Sequence, residues 1–265
     1  MNELKISNIR SGYEDGPDIV KGISFTLTEG SFTCILGPNG CGKSTLLKSV
    51  LGFMPVREGE VSYNQSIDVL HLKEEERAKI LAYIPQAHNP PFPFLVRDVV
   101  RMGRTPYLNR LSKETEEDHA IAQHAMEITN ILDLQEFPYN LLSGGQRQLV
   151  MIARAIAQGT SFLIMDEPTN NLDYGNQYRV LSAISSLSKS MNLSVLMVTH
   201  DPHHCFFIAD HVILINQGKI VEEGRPEEII HSDSLTGLYS YPIKVADIDF
   251  GNTISRACIP QRMEM

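Results

Sequence analysis

No stretch of this 265-residue chain reaches about 18 consecutive apolar residues, so nothing in it is expected to span a bilayer. Positive charge is also in short supply. The 23 Lys and Arg against 32 Asp and Glu give a formal net charge of -9, and no long basic run occurs. That balance disfavours non-specific binding to nucleic acid or to anionic lipid, so no nucleic-acid partner is expected and any polyanion site must be local. Cysteine is scarce. Cys34, Cys41, Cys205 and Cys258 include no C-x-x-C pair, which argues against a disulfide scaffold or a structural zinc site and fits a reducing compartment. The opening MNELKISNIR has no apolar core of the kind a secretory signal needs. Internal repeats and long linkers are absent as well. If the protein works at a membrane, a partner must hold it there.

What is present is an ordinary globular composition, 42% hydrophobic and 21% charged. Runs at 4–9, 19–27 and 31–36 read as strands, punctuated by Gly12, Gly16, Pro17 and Gly30. The last of these, SFTCIL, leads into a glycine-rich turn, after which 43–51 has a helical pattern closed by Gly52. Residues 71–80 are charged and read as a surface helix, and LAYIPQ as a short strand ending at Gln86. Pro90, Pro91 and Pro93 remove donors and fix φ, so that segment continues neither a helix nor a central strand. Over 113–132, Ala122, Ala125, Met126 and Thr129 share one side of a helix, with Glu116, Glu117, Gln123 and Glu127 among the polar positions. Residues 88–157 therefore read as a mostly helical insert. Apolar β-type runs follow at 161–166, 193–200 and 211–220, with a helix at 174–191 between the first two. Buried strands alternating with helices predict an α/β fold with helices outside the sheet. Residues 243–265 mix charge with Gly and Pro and read either as a small accessory element or as a tail.

Gly37, Pro38, Asn39, Gly40, Cys41, Gly42, Lys43 and Ser44 fit the phosphate-loop pattern G-x-x-x-x-G-K-[ST]. Glycines there let successive N–H groups face inward, and the helix that starts beside them adds its positive end. Lys43 is placed to reach the β- and γ-phosphates, Ser44 to put its hydroxyl on Mg²⁺, and Thr45 stands beside them. Downstream, FLIMDE carries Asp166 to the end of an apolar strand, where α/β sheets present ligands. Asp166 is suited to the metal shell and Glu167 to polarising an attacking water. A second glycine stretch, Leu142-Ser143-Gly144-Gly145-Gln146, has a capping-box spacing before a helix that is expected to bury Leu149, Ile152, Ala153 and Ile156. Taken alone, it is equally a capped helix or a second anion site.

With these motifs assembled, residues 4–240 resemble the ATP-binding subunit of an ABC transporter, a P-loop NTPase with a β-rich N-terminal part and a helical subdomain. The resemblance implies a cassette over 1–242, a helical subdomain at about 88–157 and a C-terminal extension at 243–265. It implies that 37–45 is the phosphate loop and 142–146 the family signature. Asp166 and Glu167 match the metal-binding aspartate and catalytic glutamate, and Gln86 the glutamine that senses Mg²⁺ and water. Leu172 and Asp173 match the loop at the dimer interface, His200 the switch histidine at the γ-phosphate, and Tyr13 the aromatic on adenine. In the family, two copies pack head to tail. ATP lies between the phosphate loop of one and Ser143, Gly144, Gly145 and Gln146 of the other. One set of motifs per chain implies a second copy, two copies of a separate multi-span permease, and a solute-binding protein acting indirectly. The place of work would be the cytoplasmic face of the cell membrane.

The Gly-Arg-x-Pro run at 103–106 within VVRMGRTPY resembles the cassettes of metal-chelate importers, which move iron–siderophore, haem or cobalamin; related cassettes serve molybdate or tungstate. Iron–siderophore leads, and a soluble cassette of iron–sulfur cluster assembly is the alternative outside transport. Phe92 and Phe94 are candidates for the permease contact, or else for packing inside the helical insert. His200, His203, His204 and Cys205 resemble a metal cluster, but the segment also reads as an ordinary helix start. Cys41 beside Lys43 could carry a lowered pKa; a small side chain fitting the loop is the preferred reading.

Overall fold

The strand before the phosphate-loop pattern, Phe32–Leu36, is buried along its whole length, as its FTCIL sequence requires. A computed structural model of the chain describes residues 2–14, 16–86, 92–108, 113–251 and 254–262. They fall into two units, Met1–Leu70 with Leu196–Met265, and His71–Val195. The first unit begins with β1 (Glu3–Ser11), β2 (Val20–Thr28), β3 (Phe32–Leu36), α1 (Lys43–Val50), β4 (Val56–Tyr63) and β5 (Ile67–Asp68). The second holds α2 (Glu74–Ala78), β6 (Leu81–Ile84), α3 (Val96–Arg101), α4 (Glu116–Ile128), α5 (Gly144–Gln158), β7 (Phe162–Asp166) and α6 (Tyr174–Met191). β8 (Ser194–Thr199) carries the chain back into the first unit. There follow α7 (Pro202–Ile208), β9 (His211–Asn216), β10 (Lys219–Gly224), α8 (Pro226–Ile229), α9 (Ser232–Tyr239), β11 (Ile243–Asp249) and β12 (Ile254–Pro260).

In the first unit an antiparallel sheet has the order β2-β1-β4-β5, with a register shift in β1 between Ile6 and Ile9. Leu4, Ile6 and Ile9 of β1 turn inward with Ile23, Phe25 and Leu27 of β2. β3 instead pairs in parallel with β9, Thr33 to Leu36 against His211 to Leu214. Both strands are apolar on two faces, the composition that covered parallel pairs need. Each fully buried Leu or Ile contributes roughly 1.5–3 kcal/mol, which makes these central strands the anchors of the unit. The run at 211–220, expected as one β segment, is a hairpin: β9 folds onto β10 through Gln217 (φ 49°) and Gly218 (φ 80°). Two successive left-handed residues match the right-handed twist of the flanking strands. β4 and β5 lack a strong alternating apolar pattern, and neither was expected from sequence.

In the second unit β6 and β7 pair in parallel, Leu81 to Ile84 against Phe162 to Met165. The expected helix at 113–132 is shorter, α4 alone, because a Thr115–Asp118 capping box starts it and Thr129 leaves the helical region. Ala122, Ala125, Met126 and Thr129 are buried on one side, as their spacing predicts. α5 differs in detail. Val150 and Met151 are buried with Ile152 and Ala153, whereas Leu149 and Ile156 are only half-buried. Helices pack on α5 from more than one side, so its apolar stripe is wider than a single-face pattern. The remaining expected surface helix, 71–80, is the five-residue α2. Of the helical stretch expected at 88–157, residues 88–91 and 109–112 lie outside the described residues, as do Pro90 and Pro91.

The Gly-Arg-x-Pro run ties this unit together. Arg104 Nε reaches Asp118 Oδ1 at 2.9 Å, Nη1 donates to Ala157 O at 2.9 Å, and the guanidinium lies 4.0 Å over the Tyr107 ring. Gly103 passes so close to Arg154 O that a Cβ would sit 2.3 Å from it. The backbone N–H and hydroxyl of Thr115, then Arg104, hold the Asp118 carboxyl at about 2, well below the usual carboxylate range. A depressed carboxylate contributes stability that is complete above its unfolded pKa of about 4 and is lost as pH falls towards the folded value. Asp118→Asn is therefore expected to flatten the acid limb of urea stability between about pH 4 and 2; equal slopes for the two proteins in that window would overturn the assignment.

Candidate functional site

The first unit carries Tyr13, residues 37–45 and His200, and the second carries Gln86, residues 143–146, Asp166, Glu167 and Asp173.

In the first unit the phosphate-loop residues connect β3 to α1. Gly37 has no room for a side chain, since a Cβ would lie 2.3 Å from Ile215 O, and Gly42 enters the helix at φ 108°. Those two constraints account for the first and last glycines of the pattern. Lys43 is buried, and its Nζ donates to Gly37 O at 2.7 Å and Pro38 O at 3.0 Å. The ammonium thus folds over the carbonyls of the loop's first two residues. Cys41 is buried too. Burial pushes its thiol pKa up, and the opposing charge of Lys43 does not reverse this, so the lowered value considered from sequence is corrected. Tyr13 presents an exposed ring on a turn held by Arg57, which donates to Tyr13 O (2.9 Å) and Glu14 O (2.7 Å) and pairs with Asp18 (2.9 Å).

His200 follows β8 and is exposed. Asp201 caps α7, accepting from His203 N at 2.9 Å, and its Oδ1 also meets His203 Nδ1 at 2.9 Å. His204 Nδ1 lies 3.1 Å from Thr199 Oγ1. The histidines at 203 and 204 are thus engaged in fixing the start of the helix. Tyr239, which sequence reading missed, donates its hydroxyl to His200 O at 2.7 Å. Its partner lies 39 residues away, and no local pattern announces such a contact.

In the second unit β7 delivers Asp166, buried, and then Glu167 at φ 47°. A glutamate in the left-handed region costs about 1–3 kcal/mol, so neighbouring groups have to hold it there. Asn170 does the holding: its N donates to Glu167 O at 3.1 Å and its Nδ2 to Glu167 Oε2 at 2.6 Å. Burial and the Asp166 charge together push the Tyr83 phenol up to about 12. Ser143 and Gln146 form the predicted capping box: Ser143 Oγ accepts from Gln146 N at 3.3 Å, and Gln146 Oε1 from Ser143 N at 3.0 Å. Asp173 caps α6 through Asn176 N (2.9 Å), and that bond keeps its carboxyl pKa low.

Of the expected site residues in this unit, Gln86 and Gly144 share a cavity, and Ser143, Gln146, Asp166, Glu167 and Asp173 do not line it. Pro85, Gln86, Gly144, Arg147, Gln148 and Leu172 line one cavity of about 170 Å³, and a Cβ at Gly144 would sit 2.8 Å from Leu172 Cδ2. Among the described residues, Gln148 Nε2 is a buried donor with no hydrogen-bond partner. Phe92 is exposed and meets Phe94 edge-on with centroids 6.1 Å apart, so the two do not both pack inside the helical stretch.

The model of the ABC transporter family matches residues 20–170. The chain belongs to the ABC transporter ATP-binding family. It is 35% identical over 240 residues to the molybdate import ATP-binding protein MolC of Haemophilus influenzae, covering 91% of this chain and 89% of that one. To the iron(3+)-hydroxamate import ATP-binding protein FhuC of Bacillus subtilis it is 34% identical over 245 residues, 92% and 90% of the two chains. Among solved structures, an ABC transporter assigned to the metal-chelate type, in an inward-facing conformation, superposes with a TM-score of 0.87 and 31% identity over 98% of both chains. As an ABC-type ATPase, the chain couples ATP hydrolysis to transport. Among the described residues no helix is long and apolar enough to cross a membrane.

Burial makes the cysteines poor nucleophiles. Cys34, Cys41 and Cys205 are buried, and burial raises the Cys258 thiol to about 11. A disulfide reagent at about pH 8 should modify each native thiol at least about tenfold more slowly than free cysteine, with all four reacting after unfolding. Prompt modification that disappears in Cys41→Ser would overturn the account of that thiol.

Proposed function

We propose that this chain is the ATPase subunit of an importer of metal chelates, with ferric siderophore as the leading cargo. It would act as a pair of copies on the cytoplasmic face of the membrane, bound to two copies of a multi-span permease fed by a solute-binding protein. The observation that carries the reading is the near-complete superposition on a transporter of metal-chelate type, supported by the relative named for iron(3+)-hydroxamate import. The relative named for molybdate import favours an oxyanion cargo as the second reading. Haem and cobalamin belong to the same group of candidates, and a soluble iron–sulfur assembly cassette is the reading outside transport.

The residues suit the nucleotide. Lys43 already lies over the loop carbonyls, so its ammonium can turn to the β- and γ-phosphates over a short path. The loop N–H groups of 37–45 and the start of α1 would hold the remaining phosphate charge. Tyr13 would stack on adenine. Ser143, Gly144, Gly145 and Gln146 of the second copy would close the site, with Asp173 at the interface between copies. Ser44, Gln86 and Asp166 are the residues that would hold Mg²⁺, which when bound offsets charge on the phosphate oxygens. Glu167 would accept a proton from the attacking water at its carboxylate, in the orientation that Asn170 imposes. His200 would hold the γ-phosphate end of the site.

Loss of the phosphate charge after hydrolysis removes the bridge between two helix N-termini, which is how chemistry becomes motion. Two outcomes test the proposal. Glu167→Gln should retain ATP binding, trap a closed pair of chains, and reduce steady-state turnover about a hundredfold or more; full turnover in that variant would remove Glu167 from its role. In the reconstituted complex, ATPase activity should rise with a loaded ferric-siderophore binding protein. Stimulation by molybdate instead would move the cargo to the second reading, and activity with no membrane partner would favour the soluble cassette.

A further inference from the structure

The turn at His200 is gripped from two sides, and both grips lead to the C-terminal hairpin of β11 and β12. On one side Tyr239, the last residue of α9, donates its hydroxyl to His200 O at 2.7 Å. α9 is in turn fastened to β11: Ile243 N donates to Thr236 Oγ1 at 3.1 Å, and Val245 N to Ser232 Oγ at 3.0 Å. On the other side the chain leaving His200 is locked by side chains. Asp201 N donates to Thr199 Oγ1 at 3.1 Å, and Asp201 Oδ1 meets the His203 ring at 2.9 Å. The other ring nitrogen, His203 Nε2, accepts from Cys258 N of β12 at 3.1 Å. Accepting there requires the proton on Nδ1, where it points at Asp201. Arg256 adds a third tie, with Nε 2.9 Å from Asp247 Oδ1, Nη1 on Glu227 O, and the guanidinium 5.9 Å from the Phe206 ring centroid of α7.

We propose that Tyr239 is a positioning residue for His200, and that the paired strands β11 and β12 are the brace that keeps Tyr239 and His203 in place. His200 lies beyond the end of β8, outside any helix or strand, and its side chain is exposed. The Tyr239 hydroxyl restrains the direction of the His200 carbonyl, and with it the backbone angle on which the allowed rotamers of the imidazole depend. Positioning of this sort acts on the chemical step, where small displacements are costly, more than on nucleotide affinity.

The inference rests on the role given to His200 above, so its test separates the two. ATP hydrolysis by the full chain, in complex with its membrane subunits, is compared for wild type, His200→Ala, Tyr239→Phe and the double variant. Tyr239→Phe keeps the ring and removes one hydrogen bond. It should lower kcat about three- to tenfold while the KM for ATP stays within about twofold. In the His200→Ala background the same change should have no further effect. In spectra of histidine-labelled chain, the His200 ring signal should move in Tyr239→Phe while that of His124 does not. Should Tyr239→Phe not fold, His203→Gln, which cuts the tie to β12, should produce the same selective fall in kcat. An unaltered kcat in Tyr239→Phe overturns the inference, as does an equal fall with and without His200. A wild-type rate in His200→Ala fails the role of His200 itself, and the inference with it.

Discussion

At Gly37 the backbone passes Ile215 O with no space between them for even one carbon atom. That near-contact joins the end of β3 to the hairpin of β9 and β10, and it sets where the phosphate loop begins. Everything in the first unit is arranged around it. β3 and β9 must pair in parallel and in register to bring Leu36 and Leu214 level, and only then can the chain turn at Gly37 and enter α1 at Gly42. Lys43 follows as a consequence, buried at the first position of the helix with its ammonium over the loop. The loop is thus defined by the core beneath it as much as by its own residues.

The second unit relies on strain in place of close approach. Glu167 stands in a backbone region that a glutamate avoids, and two bonds from Asn170 keep it there. The same short stretch turns Leu172 against Gly144, so the segment after β7 and the start of α5 share one cavity wall.

Much of this was legible in the sequence, for identifiable reasons. β3, β7, β8, α6 and the capping box at Ser143 follow from local rules, in that an apolar run has to be buried and a hydroxyl three residues before an amide has to cap. β4 was not legible, and β10 only at its first two residues. They are half-exposed strands, carrying Glu58 and Glu60 or Glu222 and Glu223, and their pairing comes from neighbours distant in sequence. The hairpin at 217–218 was hidden inside a run whose flanks are both β-type. Within the site, the phosphate loop and the Asp166–Glu167 pair are contiguous motifs, which a sequence displays. Asn170 on Glu167, Arg57 under Tyr13 and Tyr239 on His200 are contacts that only a folded backbone brings about.

The Gly-Arg-x-Pro run narrowed the sequence reading to importers of metal chelates, yet in the fold its residues are a clasp. Gly103 lets the chain pass Arg154, and Arg104 binds Asp118 and the end of α5. None of those partners belongs to the residues assigned to ATP, and a cargo on the far side of a membrane lies out of their reach. The run therefore serves the packing of the helical stretch, and none of its contacts reads a cargo. A change of freight would leave this clasp nothing to adjust, so a cassette can be judged by its engine parts without its load being known.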